Sequence, residues 1–251
     1  MRLKTPKFWY KQDVSLASIL MAPASFLYGV GYKLNQYIKT PAASSPIPVI
    51  CIGNLTAGGA GKTPAACLVM NIIKQDKLFG APAFLSRGYG RQSNQNFKVQ
   101  THHHVSETGD EAQILSEYAP VYLARNRLDG LKMAFRDDVD CIVMDDGYQN
   151  ADIIQDLKIL VVNSFDGFGN KYLIPAGPLR EPLNKGLEKA DMIFFIQDPR
   201  GNNLKSDILN KSGKPVFNLE MSFQTDHINY KKKYMKYKAK YMGLLNKFYN
   251  N

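Results

Sequence analysis

Cysteine is scarce in this chain. Three thiols in 251 residues, Cys51, Cys67 and Cys141, are too few and too scattered for a disulfide framework or a thiolate metal site. Cys51 and Cys141 fall within apolar runs that read as strands, so buried, reduced thiols and a reducing, cytoplasmic setting are expected. An uncharged run of full spanning length is also lacking. "VSLASILMAPASFLYGVG", residues 14–31, is free of charge over eighteen positions, but it holds three serines and Pro23. A spanning helix needs about twenty predominantly apolar residues. Acid is missing from the C-terminal stretch: residues 228–251 carry seven lysines and neither Asp nor Glu. Set apart, that stretch leaves 25 basic against 22 acidic residues for 1–227, so the formal charge of +10 belongs largely to a tail. The body is close to neutral, which weakens a global nucleic-acid reading, and no nucleic-acid partner is expected.

What is present divides into three parts. Residues 1–39 combine basic positions, the aromatic trio Phe8-Trp9-Tyr10 and the apolar run. Three readings of that run stay open: a signal peptide, a buried helix, and a helix lying in a membrane interface. Residues 40–221 hold short apolar runs at 47–52, 81–86, 120–124, 140–145, 157–163, 191–196 and 214–219. Most are continuous rather than alternating, as in strands covered on both faces. Helical segments fit at 62–74, 109–118, 126–136 and 202–211, and 91–105 reads as a hairpin or loop. Strand alternating with helix predicts an α/β fold, a parallel sheet flanked by helices of the P-loop NTPase kind. Residues 222–251 are of low complexity in Lys, Tyr, Met and Asn, and predict an irregular basic tail.

The most informative stretch is "GNLTAGGAGKTP", residues 53–64. It departs from a strict G-x-x-x-x-G-K-[ST] loop only at Thr56, where the first glycine would stand. Thr56, Ala57, Gly58, Gly59, Ala60, Gly61, Lys62 and Thr63 are the candidate cradle for the phosphates of ATP. Backbone amides of a glycine-rich turn and a helix N-terminus converge on anions, a lysine reaches the outer phosphates, and a hydroxyl binds Mg²⁺. "CIVMDDG", residues 141–147, ends an apolar run in two carboxylates. Asp145 or Asp146 fits the metal-holding acid, and the second carboxylate is left to orient another group. The triplet His102–His104 reads as a polar loop, since consecutive side chains do not readily turn to one ion.

Read together, "PVICIGNLTAGGAGKTP" (48–64), "SRGYGR" (86–91), "TGDEAQ" (108–113), "DDGYQN" (145–150) and "LIPAGPLREPL" (173–183) resemble, in order, blocks of the tetraacyldisaccharide 4′-kinases of lipid A biosynthesis. The resemblance covers about 40–220 and is weaker before it. It implies transfer of the γ-phosphate of ATP to the 4′-hydroxyl of an acylated disaccharide 1-phosphate, at the cytoplasmic face of the bacterial inner membrane. It makes Thr56 a family trait. It implies Asp110 as general base, with Lys62 and Asp146 also catalytic; Thr63, Glu111 and Asp145 as metal ligands; and Arg180 and Asn150 as substrate contacts. Asp110 also stands at a predicted helix start, where an acid is favoured for structural reasons alone. Two departures stand out: Asn150 occupies a position where the family usually has His, and the family's second lobe, with its Asp-His-His block, has no counterpart before the tail. Asp226-His227 comes too early to serve. A truncated, catalytically impaired nucleotide-binding remnant is therefore the alternative expectation.

Overall fold

The computed structural model describes residues 5–10, 15–38, 42–198, 200, 209 and 212–220. Seven apolar runs become strands: β1 (Val49–Gly53), β2 (Pro82–Ser86), β4 (Val121–Leu123), β5 (Cys141–Asp145), β6 (Leu157–Asn163), β7 (Met192–Gln197) and β8 (Val216–Glu220). An eighth, β3 (Phe97–Lys98), lies in the segment expected to be a hairpin or loop, and pairs antiparallel with β4. The sheet order is β3-β4-β2-β5-β1-β6-β7-β8, and all pairs except β3 with β4 are parallel. The interior strands β1, β2 and β5 are buried at every position, which explains why their sequences do not alternate.

The helices that cross between strands are α2 (Lys62–Gln75), α4 (Asp110–Ser116), preceded by the single turn α3 (Val105–Thr108), α5 (Arg127–Arg136) and α6 (Leu183–Lys189). The chain runs from β1 outward through α2 to β2, and from β4 back inward through α5 to β5. Right-handed crossovers in opposite directions put α2 and α5 on opposite faces of the sheet. Leu131 and Ala134 of α5 pack on Ala83, Leu85, Ile142 and Met144. On the β6–β7 side, Leu187 of α6 packs with Leu160, Val162, Ile193 and Phe195. The His102–His104 stretch is a polar turn, as expected, and it has a further use. The Nδ1 of His104 accepts the amide of Ser106, and Glu107 reaches back to the His104 amide, a capping box that starts α3. All three cysteines are buried and free, and burial pushes the Cys51 and Cys67 thiols up to about 12. The helix expected over 202–211 falls almost wholly outside the described residues, as do residues 222–251 with Asp226 and His227.

The apolar N-terminal run forms α1 (Leu16–Ile38), continuous through Pro23. It is not a buried helix. Its serines face inward and its leucines outward: Ser18 and Ser25 are 2% and 7% exposed, while Leu16 and Phe26 are each 72% exposed. The inward stripe is held by hydrogen bonds. Ser25 donates to the Leu173 carbonyl at 2.8 Å, Tyr28 to the Arg180 carbonyl at 2.9 Å, and Tyr32 to Glu181 Oε2 at 2.9 Å. Ile19, Leu20, Leu27 and Leu34 join the outward face. No described helix is long and apolar enough to cross a membrane. Between these contacts, the short helical turn Lys7–Tyr10 docks through Trp9, whose indole donates to the Pro175 carbonyl at 2.9 Å.

Candidate active site

Register builds the site. In the β1–β5 pair Ile52 lies opposite Asp145, so the loop leaving β1 at Gly53 starts beside the turn that leaves β5. Ligand sites of open parallel sheets form at these carboxyl ends, where neighbouring strands send their chains to opposite sides. Gly53 is required by proximity, since a Cβ there would stand 2.4 Å from the Tyr148 Cβ.

The first half of the loop is anchored rather than open. Thr56 is buried and forms a bridge with Leu179; its hydroxyl accepts from Asn54 Nδ2 at 3.1 Å. The Ala57 amide donates to Pro178 O at 2.8 Å, and the Ala57 carbonyl accepts from the Tyr10 hydroxyl at 3.1 Å. A paired, extended residue tolerates a Cβ, which gives a local reason for threonine where a strict loop has glycine. The second half, Gly58 to Gly61, turns into α2. Gly61 caps that helix at φ 85°, in the left-handed region that favours glycine, and a Cβ there would meet Ile196 Cδ1 at 2.6 Å.

At the mouth of α2 the two predicted halves meet. Lys62 Nζ lies 3.6 Å from Asp146 Oδ1, and the Thr63 hydroxyl donates to Asp145 Oδ2 at 3.3 Å. Asp145 is 1% exposed, and its Oδ1 has no hydrogen-bond partner among the described residues. Desolvation, with Glu111 and Asp146 adding like charge, pushes the Asp145 carboxyl up to about 7. Asp146 sits at φ 52°. Desolvation raises its pKa, but Lys62 and Arg180 outweigh it, so its carboxyl is held below the usual range. A hydroxyl beside a buried carboxylate with one uncommitted oxygen is an oxygen donor set that suits a hard divalent cation.

Asp146 borders an open cleft of about 500 Å³ whose walls also include Arg87, Glu111, Arg127, Gln149 and Arg180, with Tyr28 and Tyr32 of α1; Lys62, Thr63 and Asp145 are not among its lining residues. Asp110 and Glu111 open α4 side by side; Glu111 lines the cleft, while Asp110 is exposed and is not among the cleft's lining residues. Asn150 also borders the cleft, but its amide is turned to Asp152, donating to Oδ2 at 2.9 Å. Arg180 donates to Asp146 Oδ1 at 3.0 Å and to Gln149 Oε1 at 3.3 Å.

Sequence reasoning passed over the network behind Arg180. Glu181 is fully buried, and accepts from Tyr32, from Gln149 Nε2 at 3.1 Å and from the Lys189 ammonium. Gln149 also donates to the Asn54 carbonyl at 2.9 Å. One carboxylate thus ties α1, α6, the acidic turn and the glycine loop together. The only advance signal was an acid between Arg180 and Pro182 in an otherwise apolar block.

A family model described as tetraacyldisaccharide-1-P 4′-kinase matches residues 17–244, beginning within α1. The chain is similar to the tetraacyldisaccharide 4′-kinase of Parvibaculum lavamentivorans, 37% identical over 222 residues, covering 86% of this chain and 64% of that protein. The same-named protein of Allorhizobium ampelinum is 40% identical over 198 residues, covering 78% of this chain and 56% of the relative. Among solved structures, LpxK from Aquifex aeolicus in complex with ATP superposes with a TM-score of 0.64 at 28% identity, over 81% of this chain and 64% of that one. The chain thus spans about 64% of the length of the first of these relatives. The match runs over 228 of the 251 residues, from 17 to 244, and the chain belongs to the tetraacyldisaccharide-1-P 4′-kinase family.

Proposed function

We propose that this chain binds ATP with Mg²⁺ in the loop between β1 and α2 and passes the γ-phosphate to the 4′-hydroxyl of an acylated disaccharide 1-phosphate. The observation that carries the reading is the meeting of Lys62 with Asp146 and of Thr63 with Asp145 at the carboxyl ends of β1 and β5. Family membership supports the acceptor, and the ATP named with the Aquifex structure supports the donor.

In this reading the amides from Gly58 to Thr63 and the N-terminus of α2 cradle the phosphates. Thr56 and Ala57 shape the lip of the cradle through Leu179 and Pro178. Thr63 and Asp145, with Glu111 across the cleft, hold the cation. Bound there, magnesium neutralises charge on the phosphates. Lys62, 11% exposed at its side chain, reaches the outer phosphates, and Asp146 keeps it aimed. Asp110 accepts the proton of the acceptor hydroxyl, a contribution of about 10²–10⁴-fold for a well-placed base. Arg180 and Asn150 face the acceptor from the opposite wall.

The inverted α1 supports a membrane surface as the place of action. Its outward leucines and phenylalanine make a continuous apolar face that water does not favour, while its inward hydroxyls reach the cleft wall at Arg180 and Glu181. An acceptor carrying acyl chains sits in the bilayer with its sugar at the interface. We place the protein peripherally at the cytoplasmic face, where ATP is available.

The test is transfer of labelled γ-phosphate to tetraacyldisaccharide 1-phosphate in mixed micelles, with a full-length relative as positive control. Label in the 4′-phosphorylated product supports the reading. Nucleotide binding without label in product would make this chain a nucleotide-binding protein and not the catalyst.

A further inference from the structure

Arg127 is the largest fully buried side chain of the described residues, at 1% exposure, and it carries a charge with no carboxylate within ion-pair distance among them. It stands at the first position of α5, fixed there by Asn126, whose Oδ1 accepts the Leu128 amide at 2.9 Å. One nitrogen, Nη2, donates to the carbonyls of Asp145 at 2.9 Å and Asp146 at 3.4 Å. The other two, Nε and Nη1, donate to nothing among the described residues, although the side chain lines the cleft.

A buried guanidinium with two unsatisfied nitrogens is costly, and the nearby charges of Asp146 and Asp145 only partly offset the burial that lowers its pKa to about 10. The surroundings sharpen the point. Arg180 is paired with Asp146, and Lys189 with Glu181. Arg87, also in the cleft lining, makes no ion pair among the described residues, and its charge repels that of Arg127. Both arginines line one cleft, and the two orphan nitrogens of Arg127 suit an anion there. The tie to the Asp145–Asp146 backbone places that anion beside Asp146, whose carboxylate lies 3.6 Å from Lys62 Nζ.

We propose that Arg127, through Nε and Nη1, holds an oxygen of the terminal phosphate of the bound nucleotide, with Arg87 closing on the same group from the open side. The inference rests on the nucleotide reading above and deepens it. Arg127 becomes the residue that distinguishes a triphosphate from a diphosphate. By gripping both carbonyls of the acidic turn, it also makes the geometry of Asp145 and Asp146 responsive to that phosphate.

The experiment compares binding of ADP and of a β,γ-methylene ATP analogue, each with Mg²⁺, to the wild-type chain, Arg127→Gln, Arg127→Lys and Arg87→Ala. Loss of a charged hydrogen bond predicts that Arg127→Gln lowers the analogue-to-ADP affinity ratio at least about tenfold, with ADP affinity held within about threefold. Arg127→Lys is expected to fall between, and Arg87→Ala to lower the ratio about threefold. Equal weakening of both nucleotides in Arg127→Gln would make Arg127 a structural residue and overturn the inference. So would an unchanged ratio accompanied by a higher KM only for acceptors bearing the 1-phosphate, which would assign the pair to the acceptor. If Arg127→Gln does not fold, an unchanged ratio in Arg87→Ala and Arg127→Lys overturns it equally. Wild-type protein that binds neither nucleotide would refute the nucleotide reading itself, and this inference with it.

Discussion

Replacing Asp145 by Asn removes a buried charge from the acidic turn while leaving an oxygen to accept from Thr63. The carboxyl is 1% exposed and pushed up to about 7 in the folded chain, by desolvation first and then by Glu111 and Asp146. An unfolded aspartate titrates near 4. Between those two values the native state binds the extra proton, so this group's contribution to stability falls as pH rises, and the loss is complete above the folded value. Linkage gives a cost of about 1 kcal/mol at pH 5 and about 4 kcal/mol at pH 8. The asparagine has no such titration. Its buried amide, lacking an acceptor where Oδ1 now stands alone, adds a pH-independent cost of about 1–3 kcal/mol. The diagnostic is therefore the change with pH of the difference between the two proteins. Urea denaturation without metal at pH 5 and pH 8 should show Asp145→Asn gaining about 3 kcal/mol on the wild type across the interval. A difference that stays constant, or that moves the other way, refutes a destabilising ionised Asp145. The same variant should lose the Mg²⁺ dependence of nucleotide binding.

Gly61→Ala forces a Cβ into the left-handed region and against Ile196, and should cost about 1–3 kcal/mol in stability together with most nucleotide affinity, read by thermal denaturation and titration. Lys189→Met leaves the buried Glu181 carboxylate with only Tyr32 and Gln149 as donors; a loss of about 2 kcal/mol is expected, below the full cost of a broken buried pair because Lys189 keeps a third of its side chain in solvent. Phe26→Ser and Leu20→Ser should leave stability within about 0.5 kcal/mol, because both side chains are exposed, while lowering sedimentation with anionic vesicles; Ser25→Leu should destabilise instead.

The sheet was largely legible because its interior strands are buried on both faces, and such strands announce themselves as unbroken apolar runs. The loop from Gly53 and the acids after β5 were legible for a related reason: a strand end, a turn and a helix start in sequence constrain what the turn can do. β3 was not, since two residues paired at a sheet edge leave no periodic trace. The seven-residue α6 follows Pro182 and is too short for a helical period to stand out. α1 misleads composition in a different way. Apolar content points to burial, but the helix turns Ser25, Tyr28 and Tyr32 to hydrogen-bond Leu173, Arg180 and Glu181 and leaves its leucines outside. Glu181 escaped notice as a site residue because its importance lies in being buried, and burial of a single charge has no sequence signature. Thr56 shows the reverse: a departure from a motif gains a physical reason once Leu179 is seen beside it.

The central claim is that a metal-bound nucleotide occupies the ground between α2 and the acidic turn. Calorimetric titration of the β,γ-methylene ATP analogue into wild type and Lys62→Ala, with and without Mg²⁺, tests it most directly. The account predicts saturable 1:1 binding that requires Mg²⁺ and weakens at least about tenfold in Lys62→Ala, in line with loss of a charged contact. Binding that is indifferent to both the lysine and the metal would contradict it.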